Sequence, residues 1–413
     1  MSTADARFTT LCGRAVRGRT AVLELGKAWD DLAARARAGP PFAARCWAQP
    51  WIEAGRLRGA PVAITVWYGE QLVGLLAIAV RSIATIRIGE PIGTGFPCYL
   101  GALLDPAHAE AAAHLAETIV REDVVDALRI DDLSSLDSAT AAFLAQLEQH
   151  GFRTRQTLRN PCLFIALRDS YDAYLLANKS SKSRGNLRRL EARLKAIGAV
   201  EVLHFVGDRI TPAVMQRVAA IQNDSWIRER GAAVLADPFY QELTLSAARA
   251  GLAHVWLVTI DGEDAAFVYA LVSHDQLHYV WTSFRLAFEP LSVGRVLTSW
   301  TIKDACEMHL RSYDFGHGEA EYKHFWSTDS HEVRRAVAGR GWRGRLVVFA
   351  YRLTWRLAQT GWLRSRYRQV RRWLRSLRRR SATQHVPQDA QQPVFPGQAH
   401  GDDQVREERA EPR

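Results

Sequence analysis

The predicted elements of this chain occur twice in the same order, and this repeat limits the possible folds more than any single motif does. Each copy predicts two helices, a hairpin, a further strand, a helix and a last strand, and the copies lie about 150 residues apart. The first copy comprises helices at 23–37 and around Trp47 and Trp51, a hairpin through Tyr68–Gln71, a strand pair between 86 and 104, a helix at 107–122, a strand at 125–130 and a helix at 138–150. The repeat therefore predicts two similar α/β domains.

The second copy begins with a strongly basic helix within 178–197, which Gly198 ends. Asp261-Gly262 is a strong two-residue turn signal and indicates the second hairpin. The other predicted elements are a strand at 200–205, helices at 211–230 and 238–250, hairpin strands across 254–272, a strand at 276–285, a helix at 293–309 and a strand at 312–315. We therefore expect domains at residues 1–165 and 166–342, with mixed sheets flanked by helices.

The excess positive charge of the chain lies in one segment. The formal net charge is +10, but residues 343–380 contain thirteen arginines and no lysine, aspartate or glutamate. Without these arginines, 41 basic residues stand against 44 acidic ones, so the rest of the chain is nearly neutral. An amphipathic helix across this segment is predicted from apolar residues at helical spacing, namely Leu363, Tyr367, Val370, Leu374 and Leu377. Residues 381–413 have almost no apolar side chains and are expected to be disordered.

The arginine-rich helix is expected to contact an anionic membrane surface, because aromatic and aliphatic residues form a stripe between its arginines. A nucleic acid is the less favoured polyanion, and a packing helix with solvated arginines is a third interpretation. The five cysteines are scattered without a CxxC pair, no signal-peptide pattern is visible, and the longest apolar run, 72–80, is too short to span a bilayer. We therefore predict a cytoplasmic protein, peripheral at the inner face of the membrane.

The passage from 277 to 328 is the most informative, and reads as strand, loop, helix, strand and polar loop. A strand that enters a helix through Ser292-Val293-Gly294 leaves backbone N–H groups free at the helix N-terminus. These donors and the helix dipole suit a pyrophosphate, to which Gly294 allows close approach and Arg295 adds charge. A glycine in a first helical turn also occurs for structural reasons alone, so both interpretations stay open on these residues.

Several motifs of the chain together match one superfamily. The matching residues are Ser183-Arg184-Gly185-Asn186-Leu187-Arg188-Arg189, Trp226 with Gly231 and Phe239, Asp261-Gly262, Ser292-Val293-Gly294, and Asp314-Phe315-Gly316-His317-Gly318 with Glu319, Tyr322, Lys323 and Trp326. On these residues the chain, from about 20 to 335, resembles the acyltransferases that include the cellulose-biosynthesis-associated CelD/BcsL-type proteins, a GNAT branch related to the FemABX peptidyltransferases. Arg285 follows Phe284 where such proteins commonly have an aspartate, which puts the acceptor in question.

The resemblance implies two tandem GNAT-like domains, with an acyl-CoA in the cleft where neighbouring central strands part. It implies a pyrophosphate site at Ser292, Val293, Gly294 and Arg295. The predicted catalytic residues are Glu319 or His317 as the base, Tyr322 as a proton donor or orienting group, and Lys323 as the cationic partner of an oxyanion or an anionic substrate group. The predicted substrate-binding residues are Arg189, Trp226, Tyr279, Arg285 and Asp314.

Each of these residues also has a purely structural interpretation. Asp314 could anchor a loop, His317 could be merely exposed between two glycines, and Lys323 could form an ion pair with Asp314 or Glu319. Trp226 is typical of a core residue. No metal site is predicted, because His317 and His324 lie seven residues apart without a supporting cysteine or carboxylate.

Three functions are compatible with this pattern. The leading hypothesis is acyl-CoA-dependent N-acylation of an amino sugar, an amino acid or a related envelope precursor. The second is an aminoacyl-tRNA-dependent transferase, as among FemABX proteins, in which the basic elements would serve the tRNA. The third is a non-catalytic, membrane-associated accessory protein of polysaccharide synthesis.

Overall fold

Two mixed β-sheets flanked by helices form the protein. The structure is a computed structural model that describes residues 10–37, 40–96, 98–229, 233–318 and 320–359. The elements of the first half are β1 (Leu11–Arg17), α1 (Arg19–Leu23), α2 (Gly26–Arg35), α3 (Arg45–Glu53), β2 (Ala60–Tyr68), β3 (Gln71–Ile83), β4 (Ile86–Pro91), β5 (Leu103–Leu104), α4 (Ala111–Arg121), β6 (Ala127–Ser134), α5 (Ser138–Gln149) and β7 (Arg153–Leu158).

The rest of the chain, which starts with a strand that lies almost entirely in the predicted segment 1–165, repeats this arrangement and adds a last strand and helix. Its elements are β8 (Cys162–Ala166), α6 (Tyr171–Asn178), α7 (Ser181–Lys195), β9 (Val200–Val206), α8 (Pro212–Asn223), α9 (Trp226–Glu229), α10 (Pro238–Arg249), β10 (Ala253–Ile260), β11 (Glu263–Ser273), β12 (Gln276–Phe284), α11 (Val293–Glu307), β13 (Ser312–Asp314), α12 (Glu321–Trp326), β14 (Asp329–His331), β15 (Val333–Gly339) and α13 (Gly341–Gln359).

The two sheets have equivalent strand orders. The first runs β1-β2-β3-β4-β6-β15-β7, with β5 paired to β3, and the second runs β9-β10-β11-β12-β13-β8-β14. In each sheet, four antiparallel strands are followed by one parallel neighbour that the chain reaches through a helix, α4 in the first and α11 in the second. This confirms the predicted fold class of two mixed sheets flanked by helices, and the predicted duplication.

Each sheet takes one strand from across the predicted boundary at 165/166. β15 follows the second half in sequence but lies between β6 and β7 of the first sheet. β8 lies between β13 and β14 of the second sheet. The sheets therefore do not coincide with the segments 1–165 and 166–342, because Ala336 and Ala338 of β15 are buried in the core of the first sheet.

The two halves also share a hydrophobic core. Trp51 of α3 packs edge-on against Phe239 of α10, with ring centroids 4.8 Å apart. Phe96 lies 5.5 Å from the ring of Trp281 in β12. Arg56 donates to the Asp237 carboxylate at 2.7 Å across the same contact. Burial of these aromatic surfaces joins the halves into one packed body.

Several predicted elements differ in detail from the structure. Both hairpins are confirmed, as is the helix at 138–150. The predicted helix at 23–37 corresponds to α2, which begins only at Gly26, where φ is +40°, because Leu23 is the last residue of α1. The predicted helix at 211–230 ends at Asn223 before α9 begins. The strands predicted between 86 and 104 pair with β3 rather than with each other.

The arginine-rich helix is described only in its first part. α13 begins at Gly341, two residues before the predicted start, and is described to Gln359. The apolar stripe from Leu363 to Leu377 and the tail 381–413 lie outside the described residues. Within the described ranges, no helix has the length and apolar character needed to cross a membrane.

Candidate active site

The parallel strands β12 and β13 pair over only three residues and then part. Gln276, Leu277 and His278 face Ser312, Tyr313 and Asp314. Beyond this point β12 continues to Phe284, whereas β13 ends. Because carboxyl ends of parallel strands meet at one edge of a sheet, the residues that follow β13 and the helix that follows β12 lie at the same edge. The predicted neighbourhood of these two strands is confirmed.

The first turn of α11 offers free backbone donors at this edge. Ser292 adopts a φ of +56° and provides no side-chain cap. Its carbonyl accepts from the amides of Arg295 and Val296 at 3.0 and 3.2 Å. Among the described residues, the amides of Val293 and Gly294 donate to no protein acceptor. An uncapped first turn of a 15-residue helix is one requirement of a pyrophosphate site. Val293 is fully buried, whereas Gly294 is partly exposed.

A small cavity of about 10 Å³, here called the seam cavity, lies between the two halves. Residues of both halves line it, and the aromatic and imidazole rings dominate its wall. They are Phe42, Cys98 and Tyr99 from the first half, and His278, Tyr279, Val280, Asp314, Gly316 and His317 from the second. A cavity of this size admits one small polar group, such as an amine, beside its converging polar side chains.

A buried hydrogen-bond network ties the two halves together beside the seam cavity. The Tyr99 hydroxyl donates to the Asp314 carboxylate, with both oxygens at 3.0 Å. His331 contacts Asp314 through Nε2 at 2.9 Å and Ser134 through Nδ1 at 3.0 Å. Burial acts to raise the pKa of Asp314, but the hydrogen bond and charge of His331 outweigh it and lower that pKa. Asp314 is therefore a carboxylate held by both halves of the chain.

His317 reaches the seam cavity with an unpartnered nitrogen. Its Nε2 atom is buried and makes no hydrogen bond, and Asp132 Oδ1 of β6 lies 3.8 Å away. Burial, together with the charge of Arg159, lowers the pKa of His317 to about 3. The ring is consequently neutral at physiological pH, so a lone pair is available to a substrate proton. Nδ1 of His278 is likewise buried without a partner, and burial lowers the pKa of this histidine.

Lys323 of α12 holds the loop that carries His317. Its ammonium donates to the carbonyls of Phe315 at 2.9 Å and Gly316 at 3.5 Å, and also to the carbonyl of His317. Burial lowers the pKa of Lys323 to about 8. An ammonium has three donors, and these three carbonyls account for all of them.

The comparisons with known proteins identify the second half. Residues 181–324 match the family described as acetyltransferase (GNAT) domain. This segment is a GNAT acetyltransferase domain. The predicted enzyme class, an N-acyltransferase of GNAT type, is thereby confirmed, and such a domain implies an acyl-CoA co-substrate. No curated protein matches the sequence.

Solved structures share the fold at low sequence identity. FemX matches with a TM-score of 0.53 and 12% identity, over 74% of this chain and 95% of FemX. The C-terminal domain of a protein assigned as a lysylphosphatidylglycerol synthetase from Agrobacterium fabrum matches with a TM-score of 0.50 and 12% identity, over 75% of this chain and 90% of that domain. The structure thus has the fold of these proteins.

The GNAT domain brings some predicted site residues together and leaves others apart. Tyr279, Asp314 and His317 line the seam cavity. Burial raises the pKa of Tyr322, whose ring meets Phe315 edge-on. Glu319 lies outside the described residues.

The remaining predicted binding residues lie on other surfaces. Arg189 is exposed on α7, beside Asn186. Trp226 is 37% exposed, unlike a core residue. Arg285 forms an ion pair with Glu263 at 2.7 Å. Arg295 directly follows the free amides in the first turn of α11, but its guanidinium lies over the ring of Phe325 at 4.4 Å.

Residues of the first half complete the site, and the sequence did not indicate them. Tyr99 lies in an irregular segment, and Asp132 is one of two adjacent aspartates in β6. His331 follows the last recognised motif. The GNAT domain supplies the free amides and His317, but Tyr99 and Asp132 come from the other half. Residue spacing within either half therefore does not predict that these residues meet.

Within the described residues, no group of three or more His, Cys, Asp or Glu side chains could hold a metal ion.

Proposed function

We propose that the chain transfers an acyl group from an acyl-CoA to a primary amine held in the seam cavity. The observation that carries this proposal is the buried, unpartnered Nε2 of His317. It lies at the same sheet edge as the free amides of Val293 and Gly294, which would hold the CoA pyrophosphate while Arg295 adds positive charge. Gly294 is partly exposed and Val293 is buried, so the uncapped amide of Gly294 is the donor that an acyl-CoA would reach first.

The proposed step needs a base, an oriented electrophile and a proton for the leaving group. The amine nitrogen attacks the thioester carbonyl carbon, and its proton passes to Nε2 of His317. The imidazolium that forms is stabilised by the carboxylate of Asp132, 3.8 Å away. The C–S bond then breaks, and the departing thiolate takes a proton from the Tyr322 hydroxyl. Tyr322 regains a proton from the His317 imidazolium, so both side chains return to their starting states. In this proposal Lys323 positions the His317 loop and does not touch the oxyanion, because its three donors are already used.

The proposal also covers the chemical class of the amine acceptor and the place of the reaction in the cell. The resemblance to CelD/BcsL-type proteins supports an amine on an envelope or polysaccharide precursor, or on a related small molecule. The seam cavity has a volume of about 10 Å³, room for one water-sized group, so in this proposal only the amino group of such a molecule enters it. We place the reaction at the inner face of the cytoplasmic membrane, with thirteen arginines in 343–380 as the supporting feature.

Titration with acetyl-CoA and longer acyl-CoAs, followed by thermal unfolding, tests the donor. At a concentration ~100-fold above the Kd, a ligand stabilises the folded state by about 2.7 kcal/mol, which raises the Tm by several degrees. Gly294→Trp should remove this rise, because even a Cβ at this position lies 3.1 Å from the ring of Phe284 and the indole must cover the free amides.

Gly185→Trp is the matched control, because a Cβ at this helical glycine meets nothing within 4 Å. It should keep the full Tm rise. If no acyl-CoA stabilises the protein while an aminoacyl-tRNA does, the aminoacyl-tRNA-dependent alternative replaces the proposal. If neither ligand binds, the non-catalytic accessory role is favoured.

A further inference from the structure

α13 presents an apolar stripe to solvent on the face away from the sheet. Trp342, Leu346, Phe349 and Leu353 are 70%, 50%, 60% and 47% exposed. Their spacing of four, three and four residues places them on one side of the helix. Large apolar side chains that repeat at helical spacing and stay exposed mark an interaction surface rather than scattered surface residues.

The opposite side of α13 is fixed to the first sheet. Gly344 is buried so closely that a Cβ would lie 2.1 Å from the carbonyl oxygen of Asp126. The Tyr351 hydroxyl shares a hydrogen bond of 2.7 Å with Thr157 of β7. Since this side already packs against β7 and its neighbours, the helix cannot turn its apolar stripe inward, and the stripe needs another partner.

The charge around the stripe selects the kind of partner. Arg345, Arg352 and Arg356 are exposed on the same helix, and residues 341–380 contain no aspartate or glutamate. A second copy of the chain would bring thirteen further arginines against the first thirteen, which opposes self-association. The phosphates of RNA would neutralise the arginines, but they would not bury the apolar row of Trp, Leu and Phe side chains. An anionic bilayer surface accommodates both, because arginines meet headgroups while the apolar row enters the acyl boundary.

We propose that α13 is an interfacial membrane-docking helix that inserts Trp342, Leu346, Phe349 and Leu353 into the surface of an anionic bilayer. This inference does not depend on the proposed acyl transfer. The stripe lies in the described part of the helix, and the arginines of 360–380 would add electrostatic attraction to the same surface. Docking would hold the first sheet, against which α13 packs, at the membrane surface.

Co-sedimentation of the full chain with vesicles tests the inference. We expect at least tenfold stronger binding to phosphatidylcholine:phosphatidylglycerol (about 3:1) than to phosphatidylcholine alone. The double variant Phe349→Glu/Leu353→Glu should lower binding to the anionic vesicles at least tenfold. The matched control is Leu176→Glu/Ile197→Glu, which makes the same charge change at two exposed apolar residues of the second half and should alter binding less than about twofold.

Each alternative partner of the apolar stripe would give a different experimental result. Equal vesicle binding by the double variant and the control overturns the inference, and leaves only electrostatic attraction by the arginines. A native dimer that the double variant converts to a monomer in light scattering assigns the stripe to a second copy. Binding of a single-stranded RNA that falls with the double variant, while vesicle binding does not, assigns it to RNA. If the double variant shows the same Tm rise with acetyl-CoA as the native protein, its fold and donor site are intact. Phe349→Ser/Leu353→Ser removes the apolar side chains without adding charge and is a second test of the same inference.

Discussion

His317 and Asp132 form a pair in which each side chain has a pKa far from its ordinary value. Burial lowers the pKa of His317 to about 3 and raises that of Asp132 to about 6. Asp132 also adopts a φ of +59°, a conformation that is unfavourable for a residue with a side chain. Strained and perturbed groups concentrate at functional sites, so this pair is the first place to test the proposed chemistry.

We expect His317→Gln to lower kcat by about 10²–10⁴-fold, because the variant keeps a polar side chain but cannot take up a proton. Thiol release from acetyl-CoA in the presence of an amine acceptor measures this, and the Kd for acetyl-CoA should be unchanged. The native rate should fall below about pH 6, because protonation of Asp132 removes the carboxylate that stabilises the imidazolium. A variant that keeps native kcat would exclude His317 as the base.

Stability gives an independent reading of the same histidine. Its folded pKa of about 3 lies below the unfolded value of 6.5, so the unfolded chain binds the extra proton first. His317 therefore reduces native stability as the pH falls from 6.5 towards 3, and has no such effect above 6.5. Urea unfolding measures this effect. When the pH is lowered from 7.5 to 4.5, the free energy of unfolding of the wild type should fall by about 2 kcal/mol more than that of His317→Gln.

At the scale of elements, local patterns predicted the regular parts of the fold, and contacts distant in sequence decided the rest. The 3.6-residue and two-residue periods located α11, β12 and both hairpins within a few residues. The strands β7 and β15 were not predicted, because RTRQTL and VRRAVAG have no clear alternation of apolar and polar residues. β15 is also stabilised by its neighbours β6 and β7, which lie about 200 residues earlier in the chain. The free first turn of α11 was predictable from local residues, whereas Tyr99 reaches Asp314 across 215 residues.

The His317 loop is an element that depends on one side chain. Lys323→Met should destabilise the protein by about 2–4 kcal/mol, because three carbonyls lose a buried donor. Lys303→Met is the control, since Lys303 is exposed on α11 and should change stability by less than about 0.5 kcal/mol. Urea unfolding measures both. If Lys323→Met is as stable as the control but has lost kcat, Lys323 acts in the reaction as first predicted and not as a clamp.

At the scale of the whole molecule, the exchange of β8 and β15 makes each half depend on the other. The first sheet cannot complete its order without β15, and the second cannot complete its order without β8. The shared aromatic core and the Tyr99–Asp314 hydrogen bond add contacts across the same boundary. A division of the chain at 165/166 would therefore leave two incomplete sheets rather than two domains.

This dependence predicts that both halves unfold in one transition. Val337→Asp places a carboxylate in β15, where Val337 is buried in the first sheet, and should lower stability by more than about 4 kcal/mol. Because β15 and β8 bind the halves to each other, calorimetry should show one peak that moves down by roughly 5 °C or more. The neighbouring Arg334→Asp, at an exposed position of the same strand, should move it by only a degree or two. Two separate peaks in the native chain, or a variant in which only part of the enthalpy shifts, would mean that the sheets fold as independent domains and that the exchanged strands do not couple them.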